Sequence, residues 1–150
     1  MKTKILLLFI LLGFLNSCNS DNGSENQIVE VNFEDIGNNV LFGNGVEGIN
    51  QGNYIITNQT DWQALKDQMN AVNNTTDNFN DTNINFENDF VIGVFLDVRD
   101  SGWQVEIIEV LENENSILIT TEENPSTITV ITQAFHIIKI PKTEKDIVFN

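Results

Sequence analysis

Between positions 89 and 98 the chain reads "DFVIGVFLDV", a run whose apolar residues stand side by side instead of alternating with polar ones. Successive side chains of a strand point to opposite faces. A strand of this composition has to be covered on both faces, as a central strand is.

The rest of the chain must supply that cover. "IVEVNF" (28–33) is rich in β-branched and aromatic residues and reads as a first strand. Gly43, Gly45, Gly48 and Gly52 then punctuate short apolar pieces with turns. "TDWQALKDQMNAV" (60–72) predicts the one helix: Thr60 caps it, Gln63 completes a capping box, and Trp62, Leu65, Met69 and Val72 share a face. So short a helix needs that face buried against a sheet. "GWQVEIIEVL" (102–111) alternates through Trp103, Val105 and Ile107 and changes phase at Ile108, the mark of a bulge. "NSILITT" (115–121) makes a hairpin with it, and "TITVITQ" followed by "FHIIKIP" closes the sheet. The expected fold class is α+β: a largely antiparallel β-sheet with one amphipathic helix, about residues 60–72, packed on it.

Ahead of the domain, Lys2 and Lys4 precede an apolar run from Ile5 to Leu15, the grammar of an export signal. As a helix this run would be about 16 Å long against roughly 30 Å of bilayer hydrocarbon, too short to span it. It ends in Leu15-Asn16-Ser17-Cys18, which resembles a bacterial lipobox and makes Cys18, the single cysteine, the expected lipid attachment point. Several acyl chains anchor a protein far better than one. Residues 19–27 are small, polar and acidic, a flexible tether that also resembles the surface-export signals of some bacterial lipoproteins. The expected organisation is a signal peptide over 1–17, a lipid-anchored tether over 18–27 and one domain over 28–150. Its expected place is the cell envelope, at the outer membrane and exposed on the surface.

Charge narrows the partners. Asp and Glu number 22 against 7 Lys and Arg, for a formal charge of −15, and Lys2 and Lys4 belong to the leader. Nucleic acid is excluded as a partner, because its binding depends on cationic side chains releasing phosphate counterions. An anionic lipid surface would be repelled as well, which leaves the acyl anchor as the only expected membrane contact.

Catalytic chemistry finds little to work with. His136 is the single histidine, and no serine sits in a nucleophile elbow. A triad of Ser101, His136 and an aspartate is the catalytic alternative, and a strand histidine is more often held by a hydrogen bond. One histidine and one acylated cysteine cannot make a zinc set. "DNFNDTNINFEND" (77–89) is rich in oxygen donors but lacks the EF-hand order. Glu106 with Glu109, and Glu122 with Glu123, read as a solvated acidic face. No cofactor, no metal and no enzymatic activity are expected.

Three stretches carry a resemblance: "TDWQALKDQM", "INFENDFVIGVFLDVRDSGWQVEIIEV" (84–110) and "ITQAFHIIKIPK" (131–142). Together they resemble the PrcB family of protease complex subunits, many of them small lipoproteins, over residues 54 to 149. The sequence departs from that pattern at Asp100-Ser101-Gly102-Trp103, where a Gly-Gly-Tyr-like turn is common, and at Ala134-Phe135, where Pro-Tyr is common. The resemblance implies a non-catalytic module that binds an envelope protein, with a surface protease as the family's example. It implies candidate partner contacts at Gly102, Trp103, Phe135 and His136. The alternatives are a small-ligand, glycan or calcium-binding lipoprotein, and a weak hydrolase using His136.

Overall fold

A computed structural model describes residues 27–100, 102–127 and 129–150. In chain order its strands are β1 (Val29–Glu30), β2 (Glu34–Leu41), β3 (Gly52–Ile56), β4 (Asp89–Arg99), β5 (Trp103–Glu112), β6 (Ser116–Pro125), β7 (Thr132–Pro141) and β8 (Asp146–Phe149). Helix α1 (Gln59–Met69) follows β3, and a single 3-10 turn, Thr75–Asn78, follows the helix. Among the described residues no helix is long and apolar enough to cross a membrane.

The two-faced run became β4, and its neighbours show why. β4 lies inside a sheet of order β2-β7-β4-β3, and Val91 to Leu96 are all buried. Val91 and Phe95 face one core with Ile36, Leu41, Trp62, Leu65, Met69, Phe135 and Ile137. Ile92, Val94 and Leu96 face the other, with Val105, Ile107, Val110, Ile117, Ile119, Ile138 and Ile140. Helix α1 therefore covers one side, and a second sheet of order β1-β5-β6-β8 covers the other. The fold class is α+β with mostly antiparallel strands, as expected, but in two sheets where the sequence suggested one. Only β8 runs parallel to its neighbour, β6.

Local chemistry moved several boundaries. Asn58, not Thr60, caps the helix: its backbone is extended and its Oδ1 accepts from the Asp61 N–H at 3.0 Å. Its amide donates back to the Asp61 carboxylate at 2.7 Å, a reciprocal cap that starts the helix one residue earlier than expected. Val72 falls beyond the helix and is exposed, so only Trp62, Leu65 and Met69 form the buried face. The expected strand 28–33 is two residues long, because the chain leaves the β5 ladder and crosses to begin β2. Of "TITVITQ" only Thr132 and Gln133 lie in a strand, β7, and the described residues 127 and 129–131 before them lie in none. The bulge expected at Ile108 is present, with the β5–β6 register slipping between Ile107 and Glu109.

An aromatic stack ties α1 to the sheet. Trp62 lies parallel to Phe79 at 6.1 Å between ring centroids, Phe79 meets Phe135 edge-on at 6.2 Å, and Phe135 stacks on Phe95 at 5.7 Å. Gly37 makes room for it: a Cβ there would sit 2.6 Å from Phe79 Cδ1. The Trp62→Ala variant should lose about 3–5 kcal/mol of stability, read as a lower midpoint in denaturant unfolding.

The asparagine-rich loop behind the stack is fastened by charge. Asp81 accepts from the Asn83 N–H at 2.8 Å and pairs with Lys139 at 3.2 Å, and Lys139 also meets Glu34 at 3.0 Å. The Asn83 N–H is the main cause that holds the Asp81 carboxyl below its usual range; burial opposes it and Lys139 adds to it. A lowered folded pKa stabilises above the unfolded value, about 3.9, and that stability is lost as pH falls through the folded value. Asp81→Asn should accordingly lower stability at neutral pH and soften its decline below about pH 4, measured by denaturant unfolding across pH.

Candidate functional site

Three connections meet at the end of the sandwich where β5 begins. Residues 42–51 join β2 to β3, Asp100 and Gly102 are the described residues between β4 and β5, and 126, 127 and 129–131 are those between β6 and β7. The described part of the chain enters at the opposite end, where Val29 pairs with Glu112.

Trp103 stands at this end, half-buried against the inter-sheet core. The Arg99 guanidinium lies 4.6 Å from its ring centroid, a cation–π contact. Arg99 also pairs with Asp97 and, through Nη1 at 2.9 Å, with Glu123. Burial works against the arginine's charge, but Glu123 and Asp97 outweigh it and hold the guanidinium pKa above its ordinary value. Gly102 is buried, and its carbonyl accepts from the Ser126 N–H at 2.9 Å, which closes the end of the β5–β6 ladder.

At this end the loops carry apolar side chains into solvent, Phe42, Val46, Val130 and Ile131, and Val98 near the end of β4 is exposed as well; Val46 is 73% exposed. The first of these loops has a hydrogen-bonded base. The loop after β2 turns through positive φ at Asn44, Gly45 and Gly48, with hydrogen bonds from Val46 N–H to Gly43 O and from Gly48 N–H to Gly45 O. Glu47 folds back under it, 4% exposed, and accepts from the Gly43 N–H at 2.8 Å. Any side chain at Gly43 would collide with that carboxylate. The Gln133 amide then donates to Ile49 O at 3.0 Å and to Leu96 O at 2.8 Å, tying the loop to β4.

Beside these loops the two sheets part into a cleft of about 280 Å³, lined by Asn53, Val94, Leu96, Val105, Glu123 and Phe149 among others. It is open because β8 spans only Asp146–Phe149 and does not extend the second sheet over β3. Asn53 and Ile55 lie in register with Val94 and Ile92 and so share the inter-sheet face. Ile55 remains 46% exposed there.

Phe135 and His136 are not at this surface. Phe135 is fully buried on the helix side of β7 and His136 is 2% exposed on the inter-sheet side, so neither side chain can touch a partner of the folded domain. His136 is a brace between sheets instead. Its Nδ1 accepts from the Ile107 N–H at 2.7 Å, beside the β5 bulge, which places its proton on Nε2 for the Asp35 carboxylate at 2.6 Å. This Asp–His pair has a backbone N–H where a triad would have its nucleophile. While that bond stands, Nδ1 cannot take a proton from a hydroxyl. Cys18 and Ser101 lie outside the described residues.

The calcium reading meets a similar geometry at 77–89: the Asp81 carboxylate is engaged by the Asn83 N–H and Lys139, and the Asn85 side-chain oxygen by the Glu87 N–H. Among the described residues no three His, Cys, Asp or Glu side chains are grouped to hold a metal. Sequence reasoning placed Trp103 and Gly102 at this end but missed Phe42, Val46, Val130 and Ile131. The one available signal was "TITVIT", whose apolar residues suggested a strand. Replacing His136 with Phe keeps the bulk and removes the acceptor. It should cost about 1–3 kcal/mol in denaturant unfolding and speed amide exchange at Ile107, whose N–H is left buried without a partner.

In comparison with known proteins, no family model matches this chain, and no curated protein and no solved structure matches it either.

Proposed function

We propose that this chain is a lipid-anchored protein of the bacterial cell envelope whose folded domain is a non-catalytic module that binds another envelope protein. One observation carries the reading: Phe42, Val46, Val130 and Ile131 are all exposed on the connections at the Trp103 end, while the chain enters the domain at the other end. Single exposed apolar residues are ordinary, but several at one end of a domain mark an interaction surface. A half-buried tryptophan with an arginine on its face is a fitting centre for such a surface, since both residue types are enriched in binding hot spots.

Placement gives the surface its direction. With Cys18 as the anchor and residues 19–27 as the tether, the domain is held by the end that carries β1, and the Trp103 end faces outward. The high acidity of the chain keeps it off anionic lipid, so the apolar end is offered to a protein. This agrees with what the likeness to the PrcB family implies, namely an accessory subunit that stabilises a surface protease complex.

The test is recovery from the native cell. Tagged protein extracted in mild detergent should bring down a stoichiometric envelope protein, and Val46→Asp with Val130→Asp should abolish that recovery while thermal unfolding stays unchanged. Cys18→Ala should release the protein from the membrane fraction. A protein that purifies alone, or variants that recover the same partner as the wild type, would refute the reading.

A further inference from the structure

Four strands form the edges of the two sheets: β1, β8, β2 and β3. An edge strand presents a row of backbone N–H and C=O groups, and proteins usually blunt it with charge, proline, a bulge, shortness or cover. Three of these four are blunted. β1 is two residues long, and β8 is four residues long and begins with Asp146. β2 carries Glu34 and Asp35, slips register between Asp35 and Gly37, and is covered by Asn80, which donates from its N–H to Ile36 O at 2.8 Å. β3 is different: Gly52-Asn53-Tyr54-Ile55-Ile56 has no charge, no proline and no bulge, and stays in register with β4 from Gly52↔Phe95 to Ile56↔Val91. Among the described residues no segment pairs with its outer edge.

The cleft opens at the start of this same edge, where Gly52 and Asn53 line it. Val94, Leu96, Val105 and Phe149 give it an apolar floor, and Asn53, Thr121 and Glu123 a polar rim. Arg99 is shared between Asp97 and Glu123, so the trio keeps one negative charge in excess, and Arg99 engages only Oε2 of Glu123. An apolar trough that ends at a carboxylate fits a long cationic side chain, whose methylene stem packs while its head stays polar.

We propose that β3 is the docking edge for an extended segment of the protein partner, which adds to the sheet as a further strand and lays a Lys or Arg side chain into the cleft toward Glu123. In strand addition the main-chain hydrogen bonds supply affinity, and pockets for alternate side chains supply specificity. Charge selects this occupant over a second copy of the chain: with 22 acidic and 7 basic side chains, two copies repel each other, whereas a basic segment is attracted. The inference rests on the binding-module reading and names what the module holds.

The test uses the full chain in detergent micelles and fluorescein-labelled peptides of alternating Val and Thr with one central Lys. Saturable binding is expected, about tenfold weaker when Lys is replaced by Glu and lost when alternate backbone amides of the peptide are N-methylated. Ile55→Asp adds negative charge, which alone would attract the peptide, yet it should weaken binding about tenfold because it blocks the edge. Glu123→Gln should reduce the preference for Lys over Glu without changing thermal unfolding. Absence of saturable binding overturns the proposal. So does binding that survives N-methylation and vanishes in about 0.5 M salt, which would be attraction to an acidic surface only. Self-association that Ile55→Asp abolishes would make a second copy the occupant and overturn it as well. If Ile55→Asp recovers the cellular partner at the wild-type level, the docking edge fails while the binding module stands. If the peptide binds but no partner is ever recovered, the module reading fails and the edge stands.

Discussion

Burial of both faces of β4 and β7 is the constraint from which the architecture follows. Neither strand can lie on a surface, because apolar side chains leave on both sides: Val91 and Phe95 against Ile92, Val94 and Leu96 in β4, Phe135 and Ile137 against Ala134, Ile138 and Ile140 in β7. A single sheet with one helix covers only one face. The second sheet is required by those six inter-sheet residues, and it is drawn from β5 and β6, whose own buried residues alternate with exposed or half-buried ones. Its outer face carries Glu106 opposite Glu122, a like-charge pair that no buried layer would tolerate.

Polar residues on β7 look out of place in such a strand until the bulges are considered. Each slip in a ladder leaves backbone groups without a strand partner, and buried backbone groups need one. The β4 ladder slips between Phe95 and Val98, and the Gln133 amide takes the Leu96 carbonyl. The β5 ladder slips beyond Ile107, and His136 takes the Ile107 N–H. On β2 the slip follows Asp35, and Asn80 covers the Asp35 and Ile36 carbonyls. Gln133 and His136 thus serve the sheets' irregularities.

This explains how far the sequence could be read. β4 and the bulge at Ile108 were legible because periodicity reports directly which faces of a strand are apolar. The number of sheets was not, since periodicity says that a face is covered and not by what. The helix was visible from Trp62, Leu65 and Met69, but its cap was misplaced, because Asn58 and Thr60 are both competent caps and the choice falls to the backbone before them. His136 drew attention as the single histidine, yet its burial depends on a bulge in another strand 29 residues away. The edge of β3 left no mark either: its distinguishing property is the lack of a charge or a proline, which in a short segment is common.

The cleft is the counterpart of that economy. Two cores shared across one sheet use up the apolar residues of a small domain, and the second sheet ends in the four residues of β8 before it reaches over β3. Asn53 and Ile55 are therefore inter-sheet residues by register that lack a sheet above them. Burial of the remaining face of β3 would need another strand, and Glu123, which points inward in register with Val105, would then face whatever that strand brought. An acidic group at that position makes an all-apolar strand a poor closure and a basic one a good closure. The incomplete sandwich and its charge are consequently one feature: the inter-sheet face of β3 stays open beside an acidic group.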